Sequence, residues 1–86
     1  MLMKKVYVIT TRAFWKGTLF KRLAETKVMT DKEAARDFFN HEYQDIRGWF
    51  FDGDEPYEMK LLDENTVEFY NSEVYAIVQF VEVVVE

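Results

Sequence analysis

The apolar positions along this chain change their period twice, and the changes mark out its elements. From Lys4 to Arg12 the core of the run is Val6-Tyr7-Val8-Ile9-Thr10-Thr11, nearly all β-branched or aromatic, which reads as a strand. Ala13-Phe14-Trp15-Lys16-Gly17 reads as a turn or loop. Residues 18–29 carry two signals. Trp15, Leu19, Arg22 and Leu23 fit one helical face, whereas Thr18, Thr26 and Val28 favour a strand; the segment is read as a second strand, paired with the first as a hairpin.

The period then becomes helical. Ala34, Ala35, Phe38, Phe39, Tyr43 and Ile46 fall on one stripe. Thr30 and Glu33 have the spacing of a capping box, each side chain satisfying a free backbone N–H. Asp31 and Glu33 suit the positive end of the helix dipole, and Arg47 the negative end. Gly48 is able to take the left-handed conformation that ends a helix, so the pattern predicts a helix over 31–46.

Beyond it the pattern predicts strands at 57–62, 66–70 and 73–85, separated by turns at 63–65 and 71–72. The order is β-β-α-β-β-β. The expected fold is of the α+β class: a mostly antiparallel sheet with one amphipathic helix packed on one face. No repeat, linker or low-complexity stretch divides residues 1–86, so a single domain is expected.

The last strand departs from the pattern of a sheet solvated on one side. Its even positions are Val74, Ala76, Val78, Phe80, Glu82 and Val84, and its odd positions Tyr75, Ile77, Gln79, Val81, Val83 and Val85. Both sets are mainly apolar, yet one helix covers one face. The second face therefore calls for a cover: the aromatic loops around Trp15 and Trp49, a second copy of the chain, or a partner. Self-association through this strand, as a homodimer, is one expectation, opposed by Glu82 and Glu86 wherever like charges meet.

Composition sharpens this picture. Of the 86 residues 49% are hydrophobic and 17% aromatic, which lets a short chain assemble a core. Cysteine is absent, which excludes disulfides and thiolate metal sites. The apolar run after Lys4-Lys5 is too short for a signal peptide, and a cytoplasmic protein without membrane association is expected. Small, acidic, aromatic-rich chains are common among proteins of phages and other mobile elements, a likeness of composition that points to no family.

The net charge of −5 is unevenly spread. Residues 1–30 carry seven bases and the single acid Glu25, whereas residues 31–86 carry four bases and fifteen acids. Two surfaces follow from this. In the first, Asp45, Asp52, Asp54, Glu55 and Glu58 surround Trp49, Phe50 and Tyr57. Carboxylates beside aromatic anchors fit a basic groove on a partner protein, the rings supplying affinity and the charges selectivity. In the second, Arg12, Trp15, Lys16, Lys21 and Arg22 interleave bases with rings, as in surfaces that stack single-stranded nucleic acid. The acidic remainder of the chain weighs against the second.

Catalytic chemistry finds little footing. His41, the only histidine, has Asp37 and Asp45 one turn to either side, but no serine or threonine stands in a context that marks a nucleophile. A calcium loop starting at Asp52 fails at its fifth and sixth positions, Pro56 and Tyr57. No glycine-rich phosphate loop is present. The expectation is a non-enzymatic interaction protein, a regulator or inhibitor of another protein, with no cofactor, no metal and no catalytic residue; the alternative is a nucleic-acid-binding module.

Overall fold

The computed structural model describes residues 4–15, 21–53 and 55–85, with 21–23 described by backbone alone. The chain forms β1 (Lys4–Trp15), β2 (Lys21–Met29), α1 (Lys32–Asp52), β3 (Glu58–Asp63), β4 (Thr66–Tyr70) and β5 (Val74–Val85). The strands make one antiparallel sheet in the order β2-β1-β5-β4-β3. This is the α+β fold that the pattern of apolar residues implies, with the expected order of elements.

The two long strands at the centre set the geometry. β1 and β5 pair over their whole lengths, from Lys4 opposite Val85 to Trp15 opposite Val74. The residues of β1 beyond Arg12, expected to form a loop, instead continue the strand. Ala13 is the reason: it is fully buried opposite Ala76, and two small side chains leave room for the helix above them. The side chains of β1 and β5 then alternate between two faces. Tyr7, Ile9, Thr11 and Ala13 of β1, Ala76, Val78 and Phe80 of β5, and Val67 and Phe69 of β4 point toward α1 and are buried.

The helix completes this core with Ala35, Phe39, Ile46 and Phe50. Its start is one residue later than the capping box implies. Asp31, not Thr30, is the N-cap: its Oδ2 accepts a hydrogen bond from the Ala34 amide at 3.1 Å, and its carbonyl accepts from Ala35 at 2.9 Å. Asp31→Ala is expected to cost about 1 kcal/mol in a denaturation experiment, the usual loss for a cap. Thr30→Ala is expected to leave the midpoint unchanged.

The far end runs six residues past the expected stop. Gly48 lies inside the helix with a backbone that is not left-handed. Phe50 follows Ile46 by one turn on the same face, stacks on Phe69 at 5.7 Å and is buried, and that burial outweighs the cost of a mid-helix glycine. A Cβ placed on Gly48 meets nothing within 4 Å. Gly48→Ala is therefore expected to stabilise the protein by roughly 0.5–1 kcal/mol, read as a raised melting temperature.

Arg36 ties the helix to the β3–β4 turn. Its guanidinium donates to the Glu64 carbonyl at 3.1 Å and to Asn65 Oδ1 at 2.7 Å, and lies 4.1 Å from the centre of the Phe80 ring. Among the described residues the opposite face of the sheet has no helix. Trp15 and Trp49 lie on the helix side, their rings 6.2 Å apart, so the expected cover of the open face by these two residues is not found. Where the open face widens, Tyr75 donates to Glu68 at 2.5 Å and Tyr70 to Glu58 at 2.5 Å, and Phe14 rests against Tyr75. The Glu68 hydrogen bond pushes the Tyr75 phenol up to about 12. Farther along, the open face carries Val6, Val8, Val28, Val81, Val83 and Val85. No helix among the described residues is long and apolar enough to cross a membrane.

Candidate functional site

The helix C-terminus, the end of β1 and the β4–β5 turn meet at one end of the sheet. Their meeting leaves a cleft of about 740 Å³. Trp15, the last residue of β1, forms one wall, and Trp49, on the last turn of α1, another. Phe50 lies beneath, held between Phe69 at 5.7 Å and Tyr57 at 5.6 Å. The rim is acidic. Glu55 accepts a hydrogen bond from Ser72. Glu73 is placed by the Asn71 turn, in which Asn71 Oδ1 accepts from the amides of Glu73 and Val74 at 2.8 Å each.

A second, smaller cleft lies on the other side of Trp49, between α1 and β2. Glu25, Glu42, Asp45 and Asp52 line it. Thr11, buried beneath, donates to Glu42 at 3.5 Å. Burial raises the pKa of Glu42 above that of an ordinary glutamate, and the carboxylates of Glu25 and Asp45 raise it further; the Thr11 hydroxyl and His41 act in the opposite sense.

This shift has a measurable consequence. An acid whose pKa is higher folded than unfolded binds more protons in the native state. Its contribution favours the fold below the ordinary glutamate range and turns against it as pH rises through the raised value. Glu42→Gln, which keeps an acceptor for Thr11, is expected to melt at a higher temperature than the parent at neutral pH. The gap should close as acid protonates Glu42. A variant less stable at neutral pH would contradict the crowding of charge in this groove.

Trp49 stands between the two clefts and is 50% exposed, and Phe51 beside it is 75% exposed. Neither cleft has a lysine or arginine among its described lining residues. Of the acidic–aromatic set read from the sequence, Trp49, Phe50 and Glu55 come together at the first cleft, and Asp45 and Asp52 at the second with Trp49. Tyr57 packs on Phe50. Glu58 faces the open side, bonded to Tyr70, away from both clefts. Asp54 lies outside the described residues. The second cleft also carries the His41–Asp45 pair nearby, at 3.5 Å with both side chains exposed.

Of the basic–aromatic set, Trp15 and Arg12 lie on opposite faces of the sheet. Trp15 is on the helix face in the acidic cleft, whereas Arg12 is exposed and alternates onto the open face. Lys21 and Arg22 pair in register with Trp15 and Phe14, and Lys16 lies outside the described residues. Sequence reasoning missed Glu25, Asn71 and Glu73. Asn71 sits two residues before Glu73 in a turn-forming pair, which is a local signal; Glu25 and Glu42 are joined only by the packing of α1 on β2.

Among the described residues no group of three or more His, Cys, Asp or Glu side chains has the arrangement to hold a metal ion. No family model, curated protein or solved structure matches the chain.

Proposed function

We propose that this protein is a non-enzymatic binding module that engages a basic surface on another protein through Trp49 and the two acidic clefts beside it. The observation that carries the reading is the half-exposed Trp49 between Glu55 and Glu73 on one side and Glu42, Asp45 and Asp52 on the other. An indole of this kind is a common interface anchor. Its π face attracts a lysine or arginine, and the carboxylates around it supply the counter-charge. Acids on the rim speed encounter with a basic partner and reject acidic ones. The role that follows is that of a small regulator or inhibitor, acting by occupying a basic site rather than by chemistry.

The test is affinity capture from a cellular lysate with the parent protein and a Trp49→Ala/Glu55→Lys variant, both shown to be folded by circular dichroism. The expected result is a defined protein held by the parent, released by salt and absent from the variant. Equal retention by both would move the binding surface elsewhere. Capture that disappears after nuclease treatment would favour the nucleic-acid reading instead.

A further inference from the structure

The end of the molecule opposite the clefts is built differently. β2 stops pairing with β1 at Met29, opposite Tyr7, and β4 stops pairing with β5 at Thr66, opposite Gln79. β1 and β5 continue beyond both neighbours as a two-stranded ribbon, from Val6 opposite Val83 to Lys4 opposite Val85. A ribbon of two strands is marginal by itself in water. This one exposes Val83, Val84 and Val85, with Val81 at its base, all between 38% and 48% accessible.

Its outer edge is also open. The Phe80 amide donates to the Asn65 carbonyl at 2.8 Å, the last bond on the β4 side. Backbone groups alternate in an antiparallel strand, so Glu82 and Val84 turn their N–H and C=O the same way as Phe80. Among the described residues no strand lies against them.

We propose that this edge pairs with the same edge of a second copy, giving a two-fold dimer whose axis passes beside Val83. The alternation limits the registers to those that set an outward-facing residue opposite another. Of these, the register in which Glu82 exchanges both hydrogen bonds with Val84 of the second copy, and Val83 faces its own symmetry mate, is the one that pairs all four outward groups of each chain and keeps Glu82 from facing Glu82. Three features make a second copy the occupant that fits. The pairing satisfies the four outward backbone groups of each chain with their equivalents in the other. It lines up Val81, Val83 and Val85 of both copies in one apolar stripe on the open face, continuous with Val6 and Val8. It also sets no like charges directly opposite: Glu82 meets a valine, and its carboxylate is already 3.9 Å from Lys5 of its own chain. Residues 81–85 of the two copies offer about 700 Å² in total, below the standard interface size, so the dimer is weak and reversible. Trp15 and Val74 lie at the opposite ends of β1 and β5, so the dimer carries its two acidic clefts at its far ends, open to a bivalent partner.

Sedimentation velocity over about 5 to 500 μM tests the pairing, with the micromolar range as the scale of a weak dimer. The expected result is a mass rising with concentration toward twice that of the chain. Two substitutions at an exposed site then read the register. Val84→Glu sets a carboxylate opposite Glu82 twice over, and is expected to weaken the dimer about tenfold or more at low salt. Val84→Lys sets an ammonium there, and is expected to keep or tighten it. Both should melt close to the parent. A parent that remains monomeric throughout overturns the proposal, as does a dimer that both substitutions weaken alike or that neither affects.

Discussion

Replacing Phe39 by alanine is expected to remove roughly 3–5 kcal/mol of stability, the usual loss for a buried phenylalanine. Phe39 is 2% exposed. It meets the Phe80 ring edge-on at 6.0 Å and Tyr43 at 5.6 Å, and the Arg36 guanidinium lies 5.4 Å from its centre. Removing the ring opens a cavity where helix, β5 and the Arg36 tie converge. Domains of this size are held by about 5–15 kcal/mol, so the variant should be partly unfolded at room temperature or close to it. Its neighbour provides the control. The repeat of apolar residues puts Phe38 on the same stripe, but the structure leaves it half-buried, with Lys27 Nζ 6.0 Å from its ring centre. Phe38→Ala is expected to cost about 1–2 kcal/mol, within the common range for point mutants. Urea denaturation of the two variants checks the rotation of the helix about its axis, and equal losses would contradict it.

Trp49→Ala is expected to have the inverse profile. The side chain is half-exposed and its main ring contact is Trp15 at 6.2 Å, so stability should change by less than about 1 kcal/mol. Affinity for the partner should fall by about 2 kcal/mol or more, roughly thirtyfold, as for a central aromatic anchor. Glu55→Gln and Asp45→Asn should have smaller effects, felt mainly in the association rate and in its dependence on salt. Titration calorimetry with the captured partner separates the two classes. A loss of affinity at the acids with none at Trp49 would leave only a long-range attraction and no anchor.

Local signals carried much of this fold, and long-range pairing carried the rest. The helix stripe from Ala35 to Ile46 and the valine-rich last strand are written in nearest-neighbour chemistry, and both elements form where they are expected. The errors lie at their ends. Gly48 signals a stop, but the pull of the core on Phe50 is invisible until β4 brings Phe69 beneath it. Thr30 satisfies the spacing of a capping box, yet Asp31 caps equally well one residue on, and only the geometry decides. Phe14 and Trp15 look like loop residues because nothing local reveals that β5 is long enough to pair with them. The same blindness divides the candidate sites. Trp49, Phe50 and Glu55 are close in sequence and were legible together; Trp15, Glu25 and Glu73 reach the same end of the molecule only through the sheet and the packing of α1. Strand alternation likewise sends Trp15 and Arg12, neighbours in the run of bases and rings, to opposite faces.

The two indole N–H signals of Trp15 and Trp49 give the most direct test of the binding surface. A ¹⁵N-labelled sample titrated with a ten-residue arginine peptide reports where a flexible cation settles on the acidic surface. The account predicts shifts concentrated at the Trp49 indole and the amides of residues 49–53 and 71–74. Smaller changes are expected at Trp15, and all should diminish with added salt. Shifts spread evenly over the exposed carboxylates, with both indole signals unmoved, would contradict it.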